Sequence, residues 1–567
     1  MSRTPEPQVD GLRWRLPFFR SLDGYRRGWL GKDLVAGALI VAIAIPLSMG
    51  MAEVAGMPPV AGLYSCVLPL LAYALFGSSR QLVIALDAST AAMLAATVAP
   101  LAGSDPERYA TLAAFVAVLV GAILLVAGLL RLGFLGNLLS EPILLGYQAG
   151  LAIVVTVSQL PRILGFPLAE DATWRQIGEI AGRLDETNGW TLAIGVVCLG
   201  VVLALRRWRA TFPGALLAIV VATLAVEAFV LVEEGVAVLG DIPSGFPDLV
   251  WPSASASDLT AVLPGAAGIA LVAAADTIVS SRAFANRGGY RVDSNMDLVG
   301  LGAANVSSGV SGGISVSASA ARTAVAESVG SRSQVAGVTA SLLMVAVLVF
   351  LTRPLQNIPT AALAAVVISA VVRLVEVGNL RSLWRIRRTE FVVAAATMLG
   401  AVFFGLLQGI LIAVGLSILD FVRRAAVPHD AVVGRLRGRQ GLFDIERFPG
   451  ARTNPGIVVY RFDAPLFYAN AERFLERART LADDAPNAHW FVVDLSPVSD
   501  VDASGARMLV ELHDELEGRG VELVLVDLLS RVEDLLGRAG VIERLGPGRV
   551  FDTAEEAIEA IGVGAGG

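Results

Sequence analysis

The sequence predicts a polytopic α-helical membrane protein with a small α/β domain at its C-terminal end, and three observations support this prediction. Of the 567 residues, 55% are hydrophobic and only 17% are charged. The apolar runs are long, number about fourteen and are concentrated before about residue 425. Beyond residue 455 short strand-like runs alternate with helical patterns, which is typical of a soluble α/β domain.

The chain is expected to divide into four parts. Residues 1–32 form an N-terminal segment, 33–425 a transmembrane domain, 426–454 a polar linker and 455–563 the α/β domain. Several of the apolar runs are too short to cross a bilayer core of roughly 30 Å by themselves. The exact number of crossings therefore stays open at this point.

Charge asymmetry predicts the orientation in the membrane. Basic residues are frequent before the first apolar run, which places the N-terminus in the cytoplasm by the positive-inside rule. A cleaved signal peptide is the competing interpretation, but Pro46 interrupts this run and many spans follow it. The loop 233–258 has several acidic residues and no Lys or Arg, so we expect it outside. The α/β domain is expected in the cytoplasm, beyond a multi-pass part in the cytoplasmic membrane.

Composition argues against several other classes of protein. No basic patch indicates nucleic-acid binding, and the net charge of −7 says little about a substrate. Cys66 and Cys198 fall inside apolar runs, which gives neither a disulfide framework nor a metal-ligand cluster. The three histidines all follow the membrane part without metal-site spacing. We therefore expect no cofactor and no enzymatic activity.

The stretch 305–323 is the first candidate site, because it combines glycines, hydroxyls and one arginine inside a membrane-like region. Its glycines permit irregular backbone, the residues at 314–316 favour a short strand, and Ser317 is expected to cap a helix running to about Val329. That helix covers roughly 20 Å at about 1.5 Å per residue. It would therefore begin near mid-membrane, with free N–H groups that attract anions.

The stretch 77–92 has a similar pattern. Gly-Ser-Ser-Arg-Gln from Gly77 is followed by β-branched Val83 and Ile84, and Asp87 opens a second short helix. Two interrupted segments in corresponding halves favour an inverted-repeat transporter with its substrate between them. The alternative is that both are helices in which small residues serve packing only.

Several further motifs resemble one family. They are Asp33-Leu-Val-Ala-Gly, Ala52-Glu-Val-Ala-Gly-Met-Pro-Pro-Val-Ala-Gly-Leu-Tyr64, Gly77-Ser-Ser-Arg80, Gly289-Tyr-Arg-Val-Asp-Ser-Asn295, Leu301-Gly-Ala-Ala-Asn305, Arg322-Thr-Ala-Val325, Leu466-Phe-Tyr-Ala-Asn470 and Asp502-Ala-Ser-Gly505. In this order they resemble the sulfate permease (SulP) family of anion transporters with its C-terminal STAS domain. The resemblance implies two inverted repeats of seven segments, divided into core and gate domains, and usually a homodimer.

The chain departs from the family pattern at several positions. Ala85-Leu86 stands where Gly-Pro is common, Ala318-Ser-Ala-Ala-Arg322 where Gly-Ser-x-Ser-Arg is common, and Leu47 where a glutamine is frequent. The backbone amides and Arg322 survive these changes. The resemblance therefore predicts the fold more firmly than a particular substrate.

The candidate substrate-binding residues lie at the starts of the two short helices: Asp87, Ala88, Ser89, Ser317, Ala318, Ser319 and Arg322. Arg322 is expected about one turn into the second helix, where its cation and the helix N-terminus could hold an anion together. The alternative is that it pairs with a carboxylate or reaches the cytoplasmic surface. Asp87 is expected to be a helix cap, and it could alternatively take up a proton or pair with Arg322.

Asp276 is the candidate ion-coupling residue, because it lies in an otherwise apolar span with Ser280 one turn later on the same face. Its position matches an acidic residue of the family's eighth span, and the acid and hydroxyl pair resembles that of sodium-coupled bicarbonate members. A carboxylate and a hydroxyl could hold Na⁺, or the carboxyl could carry H⁺. The alternative is a hydrogen bond between helices.

In phosphorylated relatives of the STAS domain the acceptor serine follows an aspartate, and Ala503 occupies that position here. Ser504 is expected to cap the following helix instead.

The leading hypothesis is secondary active transport of a small anion, with sulfate first and bicarbonate or a dicarboxylate next, coupled to H⁺ or Na⁺. The alternative is a membrane-anchored regulatory protein that has lost transport and binds a partner through its STAS domain. The STAS domain and Arg322 argue against a nucleobase substrate.

Overall fold

The computed structural model describes residues 25–564 except 135–140, 169, 171, 209–212, 247–248, 250 and 440. The chain forms two compact units, Met1–Ser417 and Ile418–Gly567. The first is built of helices with two very short strands. The second contains a mixed β-sheet covered by helices.

The membrane unit consists of two repeats. The first contains α1 (Arg27–Val54), α2 (Pro59–Tyr64), α3 (Leu68–Phe76), β1 (Ile84–Ala85), α4 (Ala88–Ala102), α5 (Pro106–Leu129), α6 (Glu141–Leu164), α7 (Thr173–Gly182), α8 (Gly189–Trp208) and α9 (Gly214–Ala228). The second contains α10 (Ala256–Gly288), α11 (Ser294–Val310), β2 (Ser317–Ala318), α12 (Ala320–Ser328), α13 (Val335–Phe350), α14 (Thr352–Gln356), α15 (Thr360–Val371), α16 (Val377–Ile386), α17 (Arg388–Phe404) and α18 (Leu406–Ala426).

Eight spans among the described residues are long and apolar enough to cross a membrane. The shorter segments, which include α4 and α12, complete two inverted repeats of seven segments, so the predicted fold class is confirmed. Helix α12 is shorter than expected, because it begins at Ala320 rather than directly after Ser317.

Packing separates the membrane unit into two groups of helices. Helix α11 packs against α3 and α5, α10 against α4 and α5, and α13 against α1. We call α1–α5 with α10–α13 the core domain. Helix α6 packs against α15 and α17, and we call α6–α9 with α15–α18 the gate domain.

Glycine allows the close approach of α5 and α11 in the core domain. A Cβ atom on Gly121 would lie 2.7 Å from the carbonyl oxygen of Gly302, and one on Gly302 would lie 2.8 Å from that of Gly121. Small residues at such crossings let helix backbones approach closely inside a membrane. The core domain is therefore tightly packed where α5 crosses α11.

The C-terminal unit has a sheet in the order β4-β3-β6-β7-β8-β9. Its elements are β3 (Asp430–Leu436), β4 (Leu442–Asp444), β5 (Ala451–Arg452), β6 (Ile457–Phe462), α19 (Ala471–Asp483), β7 (Trp490–Asp494), α20 (Ala503–Glu517), β8 (Glu522–Val526), α21 (Ser530–Arg538), α22 (Val541–Leu545), β9 (Val550–Phe551) and α23 (Ala554–Gly564). Strands β6 to β9 are parallel, and β5 pairs with β3. Helices α19–α22 pack on one face and α23 on the other.

Two sequence predictions for this unit need correction. The segment 426–454 is not only a linker, because β3 pairs with β6 from Asp430 onward and extends the sheet. The buried residues of β3, such as Val433, form only a short apolar run, and the arginines that follow it made the segment look polar. Ser504 is not the cap of α20, because the carboxylate of Asp502 accepts hydrogen bonds from the N–H groups of Ser504 and Gly505, both at 2.8 Å.

Candidate anion site and its comparison with known proteins

The two short strands bring the two candidate stretches together. Strand β1 pairs antiparallel with β2, with Ile84 opposite Ala318 and Ala85 opposite Ser317. The N–H of Ser319 also donates to the carbonyl oxygen of Val83 at 2.8 Å. Since the strands are antiparallel, α4 and α12 leave the pair in opposite directions, and both N-terminal ends lie beside it. This arrangement concentrates free backbone N–H groups at one place.

Each short helix has an acceptor at its start. The Asp87 carboxylate caps α4 and accepts from the N–H of Ser89 at 3.2 Å and from its hydroxyl at 2.7 Å, so the predicted cap is confirmed. Ser319, not Ser317, caps α12, and its hydroxyl accepts from the N–H of Arg322 at 3.4 Å. Ser317 was misassigned because it lies in β2, where the pairing with β1 keeps the backbone extended.

Arg322 is the largest fully buried side chain of the described structure, at 1% exposure. Its Nη2 donates to the hydroxyl of Ser48 at 3.0 Å, whereas its Nε and Nη1 have no hydrogen-bond partner among the described residues. No carboxylate in the described chain lies within 4.0 Å of it, and Asp87 is close enough for a longer-range attraction. Neither alternative for Arg322, a direct carboxylate pair or an exposed position, is seen.

Two further hydroxyls lie in the same stretch without partners. Ser317 is fully buried in β2, and Ser315 is 1% exposed just before it. Neither hydroxyl makes a hydrogen bond within the part of the chain that the structure describes. Ala318 and Ala88 are also buried, and they keep the surroundings of these polar atoms small. A buried cation, orphaned hydroxyls and helix N-termini together form an environment suited to an anion.

Asp276 lies on α10 and is partly exposed, as is Ser280 one turn later. Their side chains make no hydrogen bond to each other or to other described residues. The alternative of an interhelical hydrogen bond therefore finds no support in the described chain. Asp276 is close enough to Asp87 for the two carboxylates to repel each other.

Sequence reasoning missed the surroundings of these carboxylates. Thr277 follows Asp276, is fully buried and has a hydroxyl without a described partner. Tyr147, on α6 of the gate domain, is 3% exposed, and its hydroxyl also lacks a partner in the described structure. It lies in electrostatic range of Asp276 and Asp87. A tyrosine inside the apolar run of α6 was the signal that could have identified it.

Sequence reasoning also missed a buried carboxylate of a different kind. Asp297 is completely buried on α11 and accepts from the hydroxyls of Tyr73 at 2.9 Å, Ser78 at 2.9 Å and Ser281 at 2.6 Å. It also accepts from the N–H groups of Ser78 at 2.9 Å and Ser79 at 3.2 Å. Its charge is fully occupied by protein donors, so Asp297 anchors the loop before β1 and is not part of the anion site. The Gly77-Ser-Ser stretch supplies three of these five donors and was the available signal.

The fold, with its two half-helices paired through β1 and β2, is that of an inverted-repeat membrane transporter. The chain belongs to the sulfate permease family, whose model matches residues 30–397. The STAS domain model matches residues 449–557. The expectation of this family with a C-terminal STAS domain is confirmed.

Known relatives agree with this assignment. A protein of Mycobacterium tuberculosis named "Probable sulfate transporter" is 41% identical over 537 residues, which cover 94% of this chain and 96% of the relative. The chloroplastic sulfate transporter 4.1 of Arabidopsis thaliana is 31% identical and is matched over 97% of this chain and 83% of its own length. The chain is therefore a multi-pass anion transporter.

Solved structures support the fold. Murine solute carrier 26 family member A9, an anion transporter in the inward-facing state, matches 99% of this chain and 96% of its own chain with a TM-score of 0.90 and 22% identity. The transmembrane domain of a cyanobacterium bicarbonate transporter, BicA, matches 69% of this chain and 98% of its own with a TM-score of 0.61 and 22% identity. At these identities the likeness establishes the fold alone.

Proposed function

We propose that the protein is a secondary active transporter that moves sulfate across the cytoplasmic membrane, with bicarbonate or a dicarboxylate as the next candidate substrates. The observation that carries this proposal is the guanidinium of Arg322, which is buried with two nitrogens unpartnered in the described chain. A buried charge without a partner is unfavourable unless a ligand compensates it. An anion between α4 and α12 would do so.

The choice of sulfate rests on the relatives and on the donors around the site. Two similar curated proteins carry sulfate transport in their names. Sulfate has four oxygen acceptors, and the stretch offers N–H groups, the Arg322 guanidinium and the hydroxyls of Ser315 and Ser317 as donors. The structural likeness to a bicarbonate transporter keeps a monovalent oxyanion as the alternative.

Coupling is assigned to Asp276. With sulfate or a dicarboxylate the coupling ion is H⁺, because protonation of Asp276 removes its repulsion of a divalent anion. With bicarbonate the coupling ion is Na⁺, held by the oxygens of Asp276 and Ser280. Both residues are free of hydrogen bonds to other described side chains and are partly exposed, which leaves them available to either ion.

The transport motion is proposed to be elevator-like, with the core domain moving against the gate domain. Both half-helices belong to the core domain and are joined by β1 and β2, so they would move together. Arg162 of the gate domain pairs with Glu53 of the core domain at 3.2 Å, a contact that such a motion would break. A homodimer with its N-terminus and STAS domain in the cytoplasm completes the proposal, as the positive-inside rule and the family resemblance indicate.

Uptake into proteoliposomes tests this function. The purified protein is reconstituted and supplied with radiolabelled sulfate, bicarbonate, chloride, succinate or fumarate under an H⁺ gradient, a Na⁺ gradient or neither. We expect saturable sulfate uptake that an inward H⁺ gradient accelerates. Absence of saturable uptake of all five anions would contradict the proposal, and the regulatory alternative would then gain support from a specific ligand of the STAS domain.

A further inference from the structure

The Asp87 carboxylate is only half used by its capping role. Its Oδ2 accepts both hydrogen bonds from Ser89, and its Oδ1 accepts none from the described residues. The residue is partly exposed at the N-terminus of α4. One carboxylate oxygen is thus free to hold a proton without loss of the cap.

Asp87 lies among charges of both signs. Arg322 attracts it from α12, and Asp276 repels it from α10. The Asp276 carboxylate has no hydrogen-bonded partner in the described structure. Its repulsion of Asp87 is therefore relieved only when an ion or a proton binds. Two carboxylates beside one cation leave the empty site with one net negative charge.

Tyr147 adds a second, independent feature to this region, which is therefore not only a cluster of acidic groups. Its hydroxyl is buried on the gate-domain helix α6, within electrostatic range of Asp87 and Asp276, and has no described hydrogen-bond partner. A hydroxyl can accept a hydrogen bond from a protonated carboxyl and donate one to an oxyanion. Both partners are present together only when protons and substrate are bound.

The other ionisable groups on the helices packed against α4 either lie near the ends of those helices or are already bonded to other protein groups. Helices α1, α5, α6 and α10 contact α4, and apart from Tyr147 and Asp276 their ionisable residues lie within two turns of a helix end. Glu53 is paired with Arg162 at 3.2 Å, and the hydroxyl of Tyr109 donates to the carbonyl oxygen of Ala55 at 2.6 Å. The electrostatics of Asp87 are therefore governed by Arg322, Asp276 and Tyr147, with the Cys66 thiol near the arginine.

We propose that Asp87 and Asp276 form a pair of proton-coupling carboxylates, so that one divalent anion binds together with two protons. The inference rests on the proposed function and specifies its stoichiometry. In the empty site the positive charge of Arg322 compensates the negative charge of Asp87. A dianion bound to Arg322 neutralises that positive charge, so Asp87 is no longer compensated. Two protons, one on each carboxylate, then restore the net charge that the empty site had, and Tyr147 positions the protonated pair against the dianion.

The change of sulfate affinity with pH measures how many protons bind together with the anion. Binding of radiolabelled sulfate to the full-length protein in lipid nanodiscs is measured by equilibrium dialysis over a pH series, with sodium replaced by choline. Sulfate itself does not titrate in the range used. We expect affinity to fall by about 100-fold per pH unit where both carboxylates are ionised in the free protein, since two protons are linked to binding.

Asp87→Asn is the decisive variant, because asparagine caps a helix as well as aspartate but cannot take up a proton. We expect the dependence to fall to about tenfold per pH unit, the value for one linked proton. Tyr147→Phe and Glu53→Gln are matched controls. Tyr147→Phe should weaken binding and Glu53→Gln should not, and both should keep the 100-fold dependence.

The outcomes separate this inference from the proposed function. A parent protein that binds sulfate with a tenfold dependence, or an unchanged 100-fold dependence in Asp87→Asn, overturns the paired site and leaves sulfate transport standing. A second series with Na⁺ in place of choline distinguishes the remaining outcomes: binding that appears only with Na⁺ and ignores pH also overturns the paired site alone. Absence of sulfate binding at every pH, with Na⁺ or with choline, overturns the proposed function and the inference together.

Discussion

Two buried charged regions of the core domain differ in how the protein satisfies them. Asp297 is completely buried and accepts five hydrogen bonds from protein donors. Arg322 is equally buried, but only one of its nitrogens has a partner in the described structure. Asp33 resembles Asp297, since it is completely buried and receives donors from Tyr25 and from the loop 331–333.

This difference indicates that the satisfied charges stabilise the fold, whereas the open charge of Arg322 serves ligand binding. A buried charge with all its donors in place fixes the loops that supply them, and its removal should unfold structure. A buried charge left open stabilises nothing in the empty protein, and it becomes favourable only when a ligand arrives. Substitutions at the two regions should therefore move stability and binding in different ways.

Asp297→Asn should have the largest effect on stability. An amide in place of the carboxylate loses the charge and turns an N–H₂ group toward donors, so we expect the free energy of unfolding to fall by about 3–5 kcal/mol. Thermal unfolding in detergent measures this, with Ser281→Ala as the milder control that removes one donor. A variant with the stability of the parent would show that the five hydrogen bonds are not an anchor.

Arg322→Ala should reverse this pattern. Because it removes the donors that hold the anion, we expect sulfate affinity to fall by about 100-fold or more, while the unfolding temperature stays the same or rises. Equilibrium dialysis and thermal unfolding of one preparation provide both values. Arg322→Lys keeps the charge but lacks the planar guanidinium, so its sulfate affinity should lie between that of the parent and that of Arg322→Ala. Unchanged affinity in Arg322→Ala would place the anion elsewhere.

Asp276→Asn should abolish gradient-driven accumulation while anion binding partly persists. The amide cannot change its charge during the cycle, so one of the two proposed proton-coupling carboxylates is lost, and Asp87 alone cannot restore the net charge of the site when a dianion binds. Uptake under imposed H⁺ and Na⁺ gradients, with sulfate exchange at equal concentrations as the control, measures the loss. Accumulation like that of the parent under both gradients would make Asp276 a structural residue.

Ser317→Ala should have a smaller effect on binding. Its hydroxyl has no partner in the described chain, so its removal should change stability by less than about 0.5 kcal/mol and weaken anion binding by about tenfold. Ser308→Ala is the matched control, because that hydroxyl donates to the carbonyl oxygen of Ile314 at 2.6 Å. This control should lose stability, and equal behaviour of the two variants would contradict the distinction.

Asp527 in the STAS domain is intermediate between the fully hydrogen-bonded Asp297 and the largely unpartnered Arg322. Burial, together with the nearby Asp494, raises its pKa above the ordinary 3.8, although its carboxylate accepts from the N–H of Ala554 at 3.2 Å. The folded domain then holds this proton more tightly than the unfolded chain. Its contribution favours folding at acid pH and is lost as pH rises from 3.8 through the raised pKa.

Asp527→Asn should remove that loss, so its stability relative to the parent should increase between pH 4 and pH 7. The backbone tolerates the change, because φ of 57° at this residue is a conformation that asparagine adopts readily. Chemical unfolding of the STAS transition at the two pH values measures it. A difference between the two proteins that does not change with pH would mean that Asp527 titrates as it does in the unfolded chain.

Much of the fold could be predicted because its rules act over short distances along the chain. The apolar runs, the cap at Asp87 and the alternation of strands and helices beyond residue 455 were expected and are found. The cap of α12 was misplaced from Ser319 to Ser317, because both are serines before a helical pattern and only the pairing with β1 distinguishes them. The strand β3 was missed because it is short, arginines at 435, 437 and 439 make its segment look polar, and its partner β6 lies further along the chain.

By itself, the sequence determined that this is a membrane protein with two interrupted segments and an α/β domain, since hydropathy, period and capping chemistry are local properties. It also identified Arg322 as a charge in a span. Tertiary structure alone decided that the arginine has Ser48, 274 residues away, as its hydrogen-bonded partner, and that Tyr147 approaches the two carboxylates. Whether a buried charge is satisfied depends on groups brought together from distant segments, and no local pattern in one sequence encodes that.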